Sequence, residues 1–599
     1  MSPETEPLLA RDRPSSVQSD EQAAAEDEAL HGTQPTGHTP RNNYGFWREL
    51  GLFIWAIAAT AAVIVLAVYS HHRQQTSPSH GESGKPSGKR NLIFMVSDGM
   101  GPASLSMTRS FRQYSSGLPI DDVLVLDRHF IGSSRTRSSS SLVTDSAAGA
   151  TAFSCGMKSY NGAIAMLPDF TPCGTVLEAA KKAGYMTGLV VTTDITDATP
   201  ACFASHAYFR ILEDSIAEQE VGEHPLGRVV DLILGGGRCH FLPNSTEGSC
   251  RLDDKDITKL AQEKFGWNYV NDRAGFDSLE LGKAVTLPLL GLFAGSDIPF
   301  EIDRRSMQDV YPSLDEMAQT ALRALDEATK DNDKGFFLMI EGSRIDHAGH
   351  GNDPASQVHE VLAYDKAFST VVKYLEDSET EGVVVSTSDH ETGGLAVARR
   401  KLSYSIPWDM KLIKSEIRPT YPDYKWLPQF LANASHSSDY LALLLSKHIA
   451  SYDDVTISDK DLKQYINETL VEDGLGIYDA EDEEIQAVLD HPADADYIFA
   501  DMISRRAQIG WSTHGHSAVD VNIYGSAGSE ALRGNHENTD IGKFLRDYLD
   551  VDVDAITKEL REKLKGSAIA AQGNLPSESF GKVSDRYHHL RPDDVFPKL

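Results

Sequence analysis

The chain predicts an α/β protein: a large, mostly parallel central β-sheet flanked by helices on both faces, with an inserted cap or crown-type region. Two observations carry that prediction. Short apolar, β-rich runs at Leu92–Val96, Leu189–Thr193, Phe336–Ile340 and Val383–Val385 alternate with helical stretches, the order of a parallel sheet whose crossovers are helices. Each run also leads into acidic residues, namely Asp98, Asp194, Glu341 and Asp389. Open parallel sheets gather ligands beyond the carboxyl ends of their strands, so these carboxylates, distant in sequence, are placed to meet. A carboxylate at the end of a buried strand needs a cation or hydrogen-bond donors to offset its desolvation.

Taken in order, residues 1–49 have the Ser-, Pro-, Glu-, Gln- and Thr-rich composition of a disordered tail. Within it Glu4-Thr5-Glu6-Pro7-Leu8-Leu9 matches an acidic dileucine signal of the kind coat adaptors read on cytosolic tails. Residues 50–69 are apolar over a length that spans a bilayer and read as a signal anchor; a cleaved signal peptide would lie nearer the start, with a shorter apolar core. Residues 70–89, rich in Ser, Gly and Pro, form a flexible stalk. The sequons at Asn244, Asn433 and Asn467 all follow the anchor, which is compatible with a lumenal, glycosylated ectodomain and a single-pass type II topology. Residues 90–400 and 505–550 form one catalytic unit, 401–504 an acidic, helix-rich insertion, and 551–599 a C-terminal extension.

A formal charge of −32 excludes nucleic acid and anionic membrane surfaces as general partners. The same field opposes anionic substrates at long range unless divalent cations reverse it locally. Five cysteines cannot all pair within one chain. Cys239 with Cys250 is the first candidate disulfide and Cys155 with Cys173 the next, leaving Cys202 as a small core residue.

The chemistry concentrates in a few segments. EGSRIDHAGH places Glu341, Asp346 and His350 directly after an apolar run, SDHETGG places Asp389 and His390 after another, and DATP carries Asp197 and Thr199. Carboxylates and imidazoles in this combination are metal-ligand types. In TDSAAGATA, Ser146 precedes a small-residue helix start, where backbone N–H groups favour an anion; it is either a nucleophile or an N-cap. His514 and His516 lie in a late polar loop.

With SDGMG at 97–101, GGGR at 235–238 and HSAVDV at 516–521, these segments occur in the order found in the alkaline phosphatase family, which the chain closely resembles. Its N-terminal anchor further resembles the membrane-bound vacuolar members from fungi. The resemblance implies that Asp346, His350 and His516 hold one zinc and that Asp389, His390 and Asp98 hold a second. Asp98, Thr199 and Glu341 would then hold a magnesium, giving two Zn2+ and one Mg2+ per subunit. Ser146 would be the nucleophile and Arg210 a phosphate clamp, with Asp145, Asp197 and His347 as tuning residues around them. His516 is favoured over His514 because it stands four residues before Asp520-Val521.

The activity so implied is hydrolysis of phosphate monoesters to an alcohol and inorganic phosphate through a phosphoserine, by a homodimer in a vacuolar or lysosomal-type lumen. Two alternatives use the same metal framework: a phosphodiesterase or nucleotide pyrophosphatase, and an inactive, metal-stabilised, membrane-anchored binding protein.

Overall fold

The computed structural model describes residues 54–55, 60, 88–398, 427–452 and 457–564. The acidic dileucine motif, most of the 50–69 span, the stalk to residue 87 and the C-terminal extension beyond 564 lie outside the described residues. Among the described residues, no helix is long and apolar enough to cross a membrane.

The apolar runs become strands. Among the described residues, ten strands form one sheet: β1 (Arg90–Val96), β2 (Phe130–Arg135), β3 (Met186–Asp194), β4 (Leu232–Gly236), β5 (Asn268–Val270), β6 (Leu289–Leu292), β7 (Phe336–Glu341), β8 (Glu381–Thr387), β11 (Val521–Gly525) and β12 (Gly534–Glu537). The short β9 (Glu391–Thr392) and β10 (His516–Ser517) pair with each other apart from it. Across the sheet the order is β12-β2-β11-β8-β1-β7-β3-β4-β6-β5. All neighbours are parallel except β11, which runs antiparallel to both β2 and β8. The four runs legible in the sequence are the contiguous centre, β8-β1-β7-β3. Leu92 pairs with Phe337 and Val383, and Leu189 with Met339, so the carboxyl ends of these strands align.

Side chains alternate across this sheet with the period of two that a strand imposes. Leu92, Phe94 and Val96 pack on one face with Leu177, Phe203 and Leu545, while Ile93 and Met95 pack on the other with Leu325, Phe368 and Val371. Both faces are covered, which is why the central strands read as continuous apolar runs rather than as an alternation.

The helices used below are α1 (Pro102–Ser115), α2 (Ser146–Cys155), α3 (Val176–Lys182), α4 (Ala198–Ala204), α5 (Glu213–Val221), α6 (Leu314–Thr329), α7 (Arg344–His350), α8 (Pro354–Asp377), α9 (Ser438–Ala450) and α10 (Ala495–Ala507). Capping residues set several starts: Ser313 and Glu316 form a reciprocal capping box on α6, and Thr175 and Glu178 one on α3. Asp353 caps α8 by accepting from Ala355 N and Ser356 N, and also accepts from Ser438 N at 2.8 Å. That second bond ties α8 to the helical region from Gln429 to Ala507, whose Leu441, Leu445, Phe499 and Met502 share an apolar cluster with Phe111 of α1 and Val358 of α8. Cys155–Cys173 and Cys239–Cys250 are disulfides, and Cys202 is free and buried.

One polar group lies deep behind the sheet's helical layer. Glu178 Oε1 sits 2.9 Å from His206 Nε2 and 3.1 Å from His224 Nε2, all three side chains fully buried. His206 Nδ1 faces the carbonyl of Ala165, so its ring carries protons on both nitrogens, whereas His224 Nδ1 accepts from Leu226 N. Burial alone would raise the Glu178 carboxyl, but His206 and His224 outweigh it and hold it at about 2 against an ordinary 4.5. A depressed carboxyl contributes stability above its unfolded value and loses it as pH falls through the folded one. In metal-depleted protein, Glu178→Gln is therefore expected to lower the unfolding free energy at pH 7 by about 3 kcal/mol. The deficit should shrink between pH 4.5 and 2, as read from urea midpoints at pH 7 and pH 2.5. An equal deficit at both would mean that the charge carries none of it.

Candidate active site

Two glycines allow the carboxyl end of the sheet to close on itself. Gly99, in the turn after β1, has φ +76°, and a Cβ there would lie 2.5 Å from Asp346 Cα. Gly149 lies inside α2, where a Cβ would lie 2.8 Å from Asp389 Cβ. A side chain at either position would hold apart the segments carrying Asp98, Asp346, Ser146 and Asp389.

Ser146 is the first residue of α2 and does not cap it. Asp145 does, its Oδ1 accepting from Ala148 N at 3.0 Å, so the N-cap reading of Ser146 is replaced by that of its neighbour. The Ser146 hydroxyl is buried and lies 3.1 Å from His390 Nε2. Arg210 Nη2 donates to Asp197 Oδ1 at 2.6 Å, and its Nη1 lies 3.8 Å from Asp145 Oδ2. Those carboxylates are themselves fixed, Asp145 Oδ2 by Gly162 N and Asp197 Oδ1 by Ala198 N.

Around Ser146 three imidazoles share one arrangement. His516 Nδ1 faces the Thr144 carbonyl at 2.8 Å, and His350 Nδ1 faces the His514 carbonyl. His390 Nδ1 lies 3.2 Å from Thr392 Oγ1, whose own proton goes to Asp346 Oδ1. Each Nδ1 therefore donates, and each Nε2 turns a lone pair inward. His350 Nε2 and His516 Nε2 stand 3.1 Å apart with Asp346 oxygens at 3.3 and 3.6 Å from them. His390 Nε2 stands 3.2 Å from Asp389 Oδ2 and 3.7 Å from Asp98 Oδ1. Lone pairs directed at one another and at carboxylates repel unless a cation lies between them, and the outward Nδ1–H bonds are the support that metal-bound imidazoles receive.

The carboxylates give the same answer. Asp98 Oδ1, Asp389 Oδ2 and Thr199 Oγ1 are buried and accept no hydrogen bond. Burial, then Asp389, Asp346 and Glu341, pushes Asp98 far above the carboxylate range. Glu341, whose Oε2 accepts from Ser343 Oγ at 2.7 Å, is raised to about 8, and Asp389 to about 7, in each case chiefly by burial. Asp346 is the exception: burial would raise it, but His350, His516 and His390 hold it well below the usual range. The donor set thus fits divalent cations. Nitrogen and carboxylate ligands around Asp346, His350, His390 and His516 suit a zinc-type ion, and the all-oxygen corner of Asp98, Thr199 and Glu341 suits magnesium.

His347, next to Asp346 on α7, faces Asp297 Oδ2 at 3.1 Å. Burial would lower it, but Asp297 raises it to about 9. Asp297 also accepts from Thr193 Oγ1 at 2.7 Å and from Asp194 N at 3.2 Å. Neither Asp297 nor Thr392 stood out in the sequence, since one follows Gly295-Ser296 in a loop and the other lies inside a glycine-bounded motif read for its Asp and His. His514 points away from the cluster, its Nδ1 on the His350 carbonyl. Asp194, expected among the gathered carboxylates, does not join them: β3 continues through it, and its side chain turns toward Glu213 and His240.

A set of side chains fit to hold divalent cations, beside a serine hydroxyl and a buttressed guanidinium, would offer charge to a phosphate ester and an oxygen to attack it, which defines the class as a metal-dependent phosphatase. The chain belongs to the alkaline phosphatase family, whose family model, "Alkaline phosphatase", matches residues 89–551. It is 53% identical over 522 residues to the repressible alkaline phosphatase of Saccharomyces cerevisiae, covering 84% of this chain and 88% of that one. It is 45% identical to an alkaline phosphatase of Schizosaccharomyces pombe, covering 93% of this chain and 96% of the other. Among solved structures, the alkaline phosphatase of Thermus thermophilus superposes with a TM-score of 0.62 at 26% identity, covering 82% of this chain and 99% of that one. The chain is accordingly a phosphoric monoester hydrolase, and the diesterase and inactive-binder alternatives fall away.

Gly149→Ala raises helix propensity yet drives a methyl into Asp389. It is expected to leave far-UV circular dichroism unchanged while lowering bound divalent metal by at least one equivalent per chain, measured by plasma emission after gel filtration.

Proposed function

We propose that hydrolysis runs through a phosphoserine at Ser146. The observation that carries this reading is the Ser146 hydroxyl beside His390 Nε2, a nitrogen whose lone pair, like those of His350 and His516, points into a pocket of carboxylates. Asp346, His350 and His516 hold one zinc, Asp98, Asp389 and His390 a second, and Asp98, Thr199 and Glu341 a magnesium. When bound, these ions stabilise negative charge on the attacking and leaving oxygens.

The residues of the chain do the rest. Arg210 receives two non-bridging phosphate oxygens on its planar fork, a geometry lysine does not offer. Asp197 and Asp145 hold that fork in place and prevent it from collapsing onto the cluster. The Ser146 Oγ–P bond forms as the ester P–O bond breaks, releasing the alcohol. Water then attacks the phosphoserine, returning Ser146 and releasing inorganic phosphate. Two inversions give retention at phosphorus. His347, aligned by Asp297, and Asp197 tune the charge around the phosphate.

The same reading places the enzyme in the vacuolar membrane as a single-pass type II protein and as a homodimer. Residues 90–400 and 505–550 are catalytic, and 401–504 form an acidic, helix-rich insertion. Support comes from the 50–69 apolar span, the dileucine motif that a coat adaptor would read, and the sequons. Asn244 and Asn433 are exposed, whereas Asn467 is half-buried and its amide donates to Glu472 Oε1. Glycans are therefore assigned to the first two.

Hydrolysis of a chromogenic phosphate monoester by the purified chain, followed after chelation and after return of zinc and magnesium, tests the mechanism. Chelation should abolish turnover and the metals restore it. Ser146→Ala should lower kcat by several orders of magnitude, and Arg210→Lys should lower kcat/KM by roughly 10- to 100-fold. A Ser146→Ala protein that keeps wild-type turnover would remove the phosphoserine from the mechanism.

A further inference from the structure

A second group of metal-ligand side chains lies on the other side of the DATP loop. Asp194 ends β3, Glu213 opens α5, and His240 sits in the 3-10 turn Arg238–Phe241, which the Cys239–Cys250 disulfide pins. All three are more than nine-tenths buried, and their nearest ligand atoms lie within 4.8 Å of one another. His240 Nε2 is 3.1 Å from Glu213 Oε2, while its Nδ1 is 3.0 Å from Asp214 Oδ1. This is the outward carboxylate–imidazole bond that fixes the tautomer of a metal-ligating histidine. Thr196 Oγ1 donates to Glu213 Oε2 from the side at 2.7 Å.

An unpartnered carboxylate oxygen lies in this pocket. Asp194 Oδ1 is buried and accepts no hydrogen bond. Glu220, two turns along α5 from Glu213 and fully buried, also has both carboxyl oxygens without a hydrogen-bond partner. Burial and neighbouring carboxylates push Asp194 and Glu220 far above the usual carboxylate range. The Arg251 guanidinium, which reaches the carbonyls of Asp214 and His240, is also engaged by Glu218 and Asp253. One imidazole thus faces the carboxylates of Asp194, Glu213 and Asp214; burial alone would lower it, but these carboxylates raise it to about 10, so a cation binding at Nε2 takes the place of a proton.

We propose that Asp194, Glu213 and His240 form a further cation site, separate from the catalytic cluster, that binds a Zn2+ or Mn2+ ion through His240 Nε2, Glu213 Oε2 and Asp194 Oδ1. The imidazole selects a transition ion over calcium or magnesium, and Asp214 orients it. The ion joins the end of β3, the start of α5 and the disulfide-bound turn. Asp194 N also donates to Asp297, the residue that faces His347, so the clamp holds the backbone on which the phosphate surroundings rest.

Crystals of the chain loaded with Mn2+ and measured at the manganese edge test this directly. Density at Asp346, His350 and His516 serves as the internal control that the ion has entered. An anomalous peak among Asp194, Glu213 and His240 is expected, and its absence while the control site is filled would overturn the proposal. In solution, Asp194→Asn should bind one equivalent less of tightly held Zn2+ or Mn2+ than wild type after identical chelation and reloading. A folded Asp194→Asn protein with undiminished stoichiometry would equally overturn it. Should that variant fail to fold, the wild-type crystal decides.

Discussion

Four buried carboxylates share one pocket. Asp98, Glu341, Asp346 and Asp389 each reach it on the end of a strand or the first turn after one, and none can lower its charge by turning toward solvent. The remaining architecture is arranged around that repulsion. The central strands are long enough and apolar enough to hold their ends in register, worth roughly 1.5–3 kcal/mol for each large side chain buried. Three imidazoles, each with its outer nitrogen bound by an oxygen, present their other nitrogen to the same space. The charge problem is one that cations solve, and its solution is the chemistry: the field that relieves the carboxylates also draws in a doubly charged phosphate against a net charge of −32.

Much of the scaffold was legible in the sequence because it follows from short-range rules. Four apolar runs ending in acids gave the central strands and their common direction, and two disulfide pairings followed from spacing. The lone antiparallel strand β11 and the outlying β2 and β12 carried no comparable signal, since β2 (FIGSSR) is mostly polar and β12 shorter still. At the site, the motif residues meet, but the supports that make them work come from elsewhere. Asp297 belongs to a loop with no pattern, and Thr392 is a hydroxyl among better-known ligand types. Asp194 was misplaced for a geometric reason. Its side chain turns toward Glu213 and His240, whereas Glu341, equally the last residue of its strand, meets Ser343 and the pocket.

The serine motif shows how close a bland and a chemical reading can be. Ser and Asp are both good N-caps, and TDS offers one of each. The backbone gives the cap to Asp145, which leaves the Ser146 hydroxyl with no local bond to satisfy. That same Asp145 borders Arg210, so a single aspartate starts the helix, frees the hydroxyl beside it and flanks the guanidinium.

The position of β11 also fixes when the molecule can be finished. The block β8-β1-β7-β3-β4-β6-β5 is complete once the chain has emerged through Thr387, yet β2, among the first strands to leave the ribosome, pairs only with β11 and β12. An early strand thus waits without a partner for some four hundred residues, and its polar sequence keeps it harmless meanwhile. His516 arrives just ahead of β11, so docking of the final antiparallel strand and delivery of the last imidazole are one event. The full metal-holding set is thus encoded only once the chain has passed His516, after the seven-strand block that ends at Thr387.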